Sequence, residues 1–141
     1  MRFVKAALLG AGLLAFAAAQ GWAQTAEDAF GTWVDPDTGS HIRVSKCGGG
    51  LCATIVKVKD PSRTDINNPN PKLRKRPVVG ITLMSGAKKS GEKSWSGKLY
   101  NTQDGQVYSG SLTVIDKNHL KLQGCVLGGL ICKGPTWTRV Q

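Results

Sequence analysis

Short runs of alternating apolar and polar residues, separated by turn-forming residues, limit the fold of this chain more than any other feature. They begin after residue 30, and no stretch there keeps apolar residues at the i, i+3, i+4, i+7 spacing of a helix. Because period-two alternation is typical of strands with one buried face, the pattern predicts an all-β protein. The predicted strands are Phe30–Val34, His41–Lys46, Leu51–Val58, Val78–Met84, Ser94–Tyr100, Gln106–Ile115, His119–Val126 and Leu130–Val140.

Most connections between these predicted strands are short. Segments such as Asp35–Gly39, Gly48–Gly50 and Asp116–Asn118 have the Gly, Asn and Asp residues of tight turns, so we expect consecutive strands to be antiparallel neighbours. About eight such strands form either a sandwich or a barrel, and closure removes exposed sheet edges. We therefore expect a small antiparallel up-and-down barrel, closed or nearly closed, with room for packed side chains or one small ligand.

One long segment, Lys59–Pro77, interrupts the pattern. Its four prolines exclude a regular helix or a central strand. A connection of this length is typically either functional or mobile. We expect this Pro-rich loop to cross one end of the barrel, with a single helical turn around Pro71–Arg74, because Asn70 is a good N-cap residue and Pro71 a good first helical residue.

The first 23 residues have the pattern of a secretory signal peptide. A positively charged start precedes an apolar run at residues 6–19, and small residues favour cleavage after Ala23, with the bond after Ala19 as second choice. The apolar run is shorter than the ~20 residues of a membrane-spanning helix. We therefore expect residues 24–141 to form one exported domain, periplasmic or secreted, that does not span the membrane.

The net charge is strongly positive and is concentrated in the Pro-rich loop. The whole chain has a charge of +10, and residues 24–141 keep 17 basic and 9 acidic residues, a charge of +8. Four cations lie within Lys72–Arg76 and could dock an anionic envelope component. The alternative is a solvated loop whose charges only maintain solubility. We expect no nucleic-acid partner for an exported chain.

All four cysteines fall in the predicted mature chain, in two pairs that each surround a glycine-rich turn. An even number of cysteines outside the cytosol favours disulfides. Hairpin formation would bring the members of each pair to the separation that a disulfide needs, so we expect Cys47–Cys52 and Cys125–Cys132 bridges. The alternative of a zinc or redox site is weaker, because neither spacing matches the C-x₂-C of zinc knuckles or the thioredoxin motif.

The sequence gives little support for catalysis. His41 and His119 are the only histidines, and neither lies in a recognisable nucleophile or zinc-protease motif. We expect no enzyme activity, no catalytic residues, no metal and no cofactor. A structural role is clearer for Trp33 and Arg139. These residues lie in the first and last predicted strands, which are neighbours in a closed barrel, so a cation–π contact would fasten the closure.

In combination, several motifs resemble the bacterial family called domain of unknown function 2147 (DUF2147). The resemblance covers essentially the whole mature chain and implies an exported barrel of lipocalin or calycin type, with no established activity. Thr102 departs from it, where Pro is expected, which affects only the local turn. The motifs are Gly31–Trp33, the Cys47–Cys52 hairpin, Asp65–Pro77 with Val79–Gly80, Trp95–Asn101, Asp104–Gly110, Leu120–Cys125 and Thr136–Val140.

Two functions are consistent with these features. The leading hypothesis is a noncatalytic barrel that binds a small or anionic ligand at the end covered by Asp65–Pro77. Its alternative is an interaction module of the cell envelope with a filled core, whose protein partner the sequence does not name. An interior pocket of a few hundred Å³ opening near the Pro-rich loop would favour the first. The predicted ligand-binding residues are Asn68, Arg74, Arg76, Trp95, Tyr100 and Tyr108.

Overall fold

The computed structural model describes residues 10–14 and 23–140, which contain nine strands and three short 3₁₀ helices. The predicted signal peptide therefore lies largely outside the described residues. The 3₁₀ helices are Ala26–Ala29, Pro71–Leu73 and Leu127–Gly129. The strands are β1 (Gly31–Val34), β2 (His41–Cys47), β3 (Gly50–Lys57), β4 (Thr82–Gly91), β5 (Ser94–Asn101), β6 (Gln106–Asp116), β7 (His119–Val126), β8 (Ile131–Lys133) and β9 (Thr136–Arg139).

Eight of these strands close into an antiparallel barrel. Strands β1 to β7 pair in chain order, and β9 lies between β7 and β1 to complete the circle. Strand β8 is additional and pairs with β7 beyond β9, along the same edge. The predicted fold class, a small closed up-and-down barrel with one long loop, is confirmed.

Six of the eight predicted strands have both boundaries within one residue of the structure, and the other two differ more. The predicted strand Leu130–Val140 is divided into β8 and β9 at Gly134-Pro135, where a Cβ on Gly134 would overlap the backbone oxygen of Leu122. The predicted strand Val78–Met84 begins only at Thr82, because Gly80 adopts a left-handed backbone conformation with φ 97°. The strand also continues to Gly91, beyond the predicted end at Met84. Val78 and Ile81 are nevertheless buried, so the apolar pattern indicated burial correctly and both strand boundaries wrongly.

Antiparallel pairing gives the barrel two distinct ends. The β1–β2, β3–β4, β5–β6 and β7–β8 connections lie together at one end, which we call the mouth end. The other connections and the N-terminal 3₁₀ helix lie at the opposite end, the closed end. The Pro-rich loop belongs to the β3–β4 connection, so it lies at the mouth end, and its predicted helical turn is present at Pro71–Leu73.

The N-terminal 3₁₀ helix plugs the closed end, and the sequence did not predict this helix. Its two alanines are fully buried. The indole N–H of Trp33 donates to the Ala29 oxygen at 2.8 Å, and that of Trp95 donates to the Ala26 oxygen at 2.7 Å. The Arg139 guanidinium lies 4.2 Å from the Trp33 ring centroid and donates to the backbone oxygens of Asp28 in the helix and Phe30 just after it.

Both predicted disulfides are confirmed, one at each end of the barrel. Cys47–Cys52 joins the β2–β3 hairpin at the closed end, and Cys125–Cys132 joins the β7–β8 hairpin at the mouth end. Between the two ends, inward-facing side chains of the strands form the core. Its fully buried members include Trp33, Ile42, Leu51, Leu112, Leu120 and Trp137.

Candidate ligand-binding site at the mouth of the barrel

A cavity of about 370 Å³ opens at the mouth end of the barrel. This volume lies within the usual range of ligand pockets. The barrel interior is therefore only partly filled by its own side chains. Apolar groups from opposite walls face the cavity, namely Ile42, Ile55, Leu83, Leu99, Leu122 and Trp137.

Polar and charged groups surround the opening. The β1–β2 turn contributes Asp35 and Asp37, and the β5–β6 turn contributes Asn101–Gln103. Two cations complete this rim, Arg63 from the Pro-rich loop and Lys133 from β8. The site thus combines an apolar interior with a polar rim that carries charges of both signs.

Gly124 in β7 leaves part of the interior empty. It lies on the inward face, and a Cβ added there would meet Tyr108 and Leu99 at 3.5 and 3.6 Å, which are ordinary contact distances. Any larger side chain would extend further into the cavity between these neighbours. Gly124 is therefore a position from which the volume of the cavity can be changed without a backbone clash.

Asp65 anchors the Pro-rich loop to the barrel wall. Its carboxylate is fully buried and accepts hydrogen bonds from the Tyr100 hydroxyl (2.6 Å), the Asn68 amide (2.8 Å) and the Arg76 guanidinium (2.9 Å). Burial alone would raise the pKa of Asp65, but the three donors and the Arg76 charge together hold it below its usual value. Burial and the adjacent carboxylate raise the pKa of Tyr100 to about 12.

Further contacts fix the loop above the β5–β6 turn. The Asn67 amide donates to the Gln103 oxygen at 2.8 Å. Gly105 lies directly below with φ 72°, and a Cβ there would overlap the Asn67 backbone oxygen. Only glycine permits this approach without strain. The Arg74 Nε donates to the Asn68 oxygen at 2.7 Å, so the loop is also braced internally.

The structure places the six predicted ligand-binding residues in different settings. Tyr100 and Tyr108 line the cavity. Asn68 and Arg76 lie beside the mouth, where both bind Asp65. Like these two, the remaining two do not line the cavity: Arg74 is on the exposed surface of the loop, and Trp95 packs against the N-terminal 3₁₀ helix at the closed end.

Sequence reasoning did not identify Asp65 or Trp137 as members of the site. Trp137 lines the cavity, and its buried indole nitrogen finds no acceptor within the described residues. A buried donor without a partner costs about 1–3 kcal/mol, so a bound water or ligand oxygen reaching it would be stabilising. An acid within a basic loop and an aromatic residue at an inward strand position were the available signals for these two residues.

The described residues contain no cluster of three or more His, Cys, Asp or Glu side chains that could hold a metal ion. His119 forms an exposed pair with Asp116, 2.8 Å apart, and the carboxylate accepts from the Asn118 backbone as well. This backbone bond and the histidine lower the pKa of Asp116. Among residues 10–14 and 23–140, no helix is long and apolar enough to cross a membrane.

Comparison with known proteins agrees with this geometry. The family described as "Uncharacterized protein conserved in bacteria (DUF2147)" matches residues 31–139. Protein HP1028 from Helicobacter pylori, described as belonging to the lipocalin family, has a similar solved structure, with a TM-score of 0.70 and 28% identity. The similarity covers 79% of this chain and 82% of that one. The curated proteins contain no significant match.

Proposed function

The chain belongs to the DUF2147 family, and we propose that it is a noncatalytic binding protein whose barrel holds a small, mainly apolar molecule. The cavity at the mouth end carries this proposal. Apolar walls that lack packing partners contribute less to stability, and a ligand that fills the space between them would supply the missing contacts. The lipocalin-like fold of the related structure is consistent with such a role.

The walls and the rim together suggest the chemistry of the ligand. Apolar walls favour a hydrocarbon or ring body, and the volume limits this body to a small molecule. The polar rim would receive a polar or charged end group. Arg63 and Lys133 favour an anionic end, whereas Asp35 and Asp37 on the β1–β2 turn disfavour it, so an end group with a carboxylate would lie near the two cations.

The predicted ligand contacts of Asn68, Arg74 and Arg76 remain a prediction. In the structure, Asn68 and Arg76 serve first to hold the Pro-rich loop through Asp65. Their effect on a ligand would then be indirect, since the loop positions Arg63 at the rim. Tyr100 links these two functions because it lines the cavity and donates to Asp65.

Export to the periplasm or the cell exterior is part of the same proposal. Two disulfides in a chain of this size support an oxidising compartment. The alternative function, an interaction module with a filled core, is less well supported, because the core contains a cavity.

The cavity can be tested by filling it. We expect anilinonaphthalene sulfonate, an anionic fluorescent probe of apolar sites, to bind the purified protein, and fatty acids of increasing chain length to displace it. Gly124→Leu should weaken probe binding by about tenfold or more, because the new side chain occupies the site. The matched control is Gln123→Leu, which adds the same group on the outer face of β7.

Native mass spectrometry of protein purified from its natural compartment provides a second readout through a co-purified molecule. Thermal melting verifies that both variants are folded. Equal probe binding by the Gly124→Leu and parent proteins would show that the cavity is not the binding site. Replacing the fatty acids by alcohols and amines of equal length reports the preferred charge of the end group.

A further inference from the structure

The tip of the β7–β8 hairpin exposes apolar side chains to solvent. Leu127 and Leu130 are 69% and 85% exposed, and Val126 and Ile131 just below them are 41% and 48% exposed. The Cys125–Cys132 disulfide closes the hairpin directly beneath these residues. We call residues 126–131 the apolar tip. A rigidly held group of four exposed aliphatic side chains in a small protein indicates an interaction site.

The backbone of the tip is also unusual. Leu127 has φ 54°, and it is the one non-glycine residue with positive φ in the described part of the chain. This conformation is unfavourable for leucine and suits glycine or asparagine better. The Leu127 side chain is mostly exposed, so packing inside the barrel does not explain why leucine occupies this position. Contact of the side chain with an external partner would explain it.

The apolar tip lies at the same end of the barrel as the Pro-rich loop, which is also basic. Val126 and Ile131 border the cavity opening together with Arg63 and Lys133. The segment 59–77 has six cations and two acids, and one of these acids, Asp65, is neutralised by Arg76. Apart from Asp65, the acids at the mouth end are fewer than the cations. They are Asp35, Asp37, Asp60 and Asp104.

We propose that the apolar tip and the cations of the Pro-rich loop dock the mouth end of the barrel on a bilayer that contains anionic lipids. Aliphatic side chains that reach the acyl boundary, with cations beside them at the level of the phosphates, are the two components of interfacial membrane binding. A stable protein interface needs about 800 Å² on each partner, more than four side chains provide. A few apolar side chains are enough for membrane binding when nearby cations are also attracted to anionic lipids.

Docking in this orientation would hold the cavity opening against the lipid surface. An amphiphilic ligand could then move between the bilayer and the barrel without crossing water. This consequence rests on the proposed ligand binding, whereas membrane docking itself does not. The two are therefore measured separately, vesicle binding by co-flotation and cavity binding by the fluorescent probe in solution.

The test compares flotation with vesicles of phosphatidylcholine alone and of phosphatidylcholine mixed with phosphatidylglycerol, at low salt. We expect binding to the mixed vesicles only. The double variant Leu127→Asn with Leu130→Asn should lose at least about tenfold in partitioning, because each leucine contributes apolar burial. It should remain folded, since asparagine tolerates positive φ. Probe binding in solution should be unchanged.

Two further variants separate the contributions. Ile115→Asn is the matched control, because Ile115 is 49% exposed near the closed end of β6 and should not affect flotation. Replacing both Lys72 and Lys75, which form no ion pair among the described residues, by glutamine should weaken binding and reduce its salt dependence.

Absence of parental binding to the mixed vesicles would overturn the proposal, as would equal flotation of the tip variant and the parent. Conversion of a dimer to a monomer by the tip substitutions, seen by size-exclusion chromatography, would instead assign the tip to a second copy of the chain. That outcome would also overturn membrane docking. Loss of flotation in the tip variant, with probe binding retained, supports it.

Discussion

Asp65→Asn should destabilise the protein more than any other substitution in the Pro-rich loop. The asparagine keeps the shape of the side chain but removes its charge and turns one acceptor into a donor. The amide group would face either Tyr100 on one side or Asn68 and Arg76 on the other, and the charge that all three donors share would be lost. Hydrogen bonds to charged groups contribute about 1.5–3 kcal/mol each. The Arg76 side chain is 38% exposed and can be resolvated, which reduces the total cost.

We therefore expect a loss of about 3 kcal/mol in the free energy of unfolding, measured by urea denaturation, and a drop of roughly 10 °C in Tm for a domain of this size. Asp60→Asn is the matched control in the same loop. Asp60 is exposed, and its carboxylate accepts hydrogen bonds only from Ser62 among the described residues, so its substitution should cost under about 1 kcal/mol.

The sign of the pH dependence follows from the lowered pKa of Asp65. A carboxyl group whose pKa is lower in the folded than in the unfolded state stabilises the fold above its unfolded pKa, near 3.8, and this contribution is lost as the pH falls through the folded value. Asp65→Asn should therefore reduce the acid sensitivity of unfolding. A double-mutant cycle with Arg76→Gln should give a coupling of about 1–3 kcal/mol. Additive effects, or a loss for Asp65→Asn within about 0.5 kcal/mol, would refute the anchoring function.

Three further expectations concern the same framework. The pKa of Tyr100 is raised to about 12, so the stability that its neutral form provides should be complete below pH 10 and be lost between pH 10 and about 12. Tyr100→Phe should remove this alkaline transition, measured by circular dichroism. Arg139→Gln should lower the free energy of unfolding, measured by urea denaturation, by about 2 kcal/mol, because it removes the contact with Trp33 and the hydrogen bonds to backbone oxygens. Arg139→Lys should restore little of this loss. Gly105→Ala should lower Tm more than Gly128→Ala, because both positions have positive φ but only Gly105 lies against Asn67; equal Tm values would contradict the close approach.

Local patterns were sufficient for much of the fold. Alternation predicted most strands, and each disulfide joins cysteines that a single hairpin brings together. The N-terminal 3₁₀ helix escaped prediction because four residues show no periodicity and are held by distant indole groups. The break at Gly134-Pro135 likewise depends on a contact with Leu122, which the local sequence does not show.

The site was harder to predict than the strands, because it depends on contacts between segments far apart in the chain. The basic cluster and the prolines predicted that the site lies at the end of the barrel where the Pro-rich loop is, the mouth end, and the cavity does open there. The sequence could not show that Asp65, 35 residues before Tyr100, would bind Tyr100 and so engage Arg76 and Asn68. The presence of a cavity depends on how side chains from opposite walls fill the interior, and here Gly124 leaves space that the alternation pattern does not reveal.

The two ends of the barrel constrain how a ligand could reach the cavity. At the closed end, Trp33 and Trp95 both bind the buried N-terminal 3₁₀ helix, and Arg139 binds the segment that follows it. Passage there would break these bonds together, whereas the mouth is already open and bordered by loops. Exchange through the mouth therefore requires none of the closed-end contacts to break. Because Asp65 binds Tyr100 in the cavity wall and holds the loop that carries Arg63 at the rim, weakening this anchor should change the rate of ligand exchange more than weakening the closed end does.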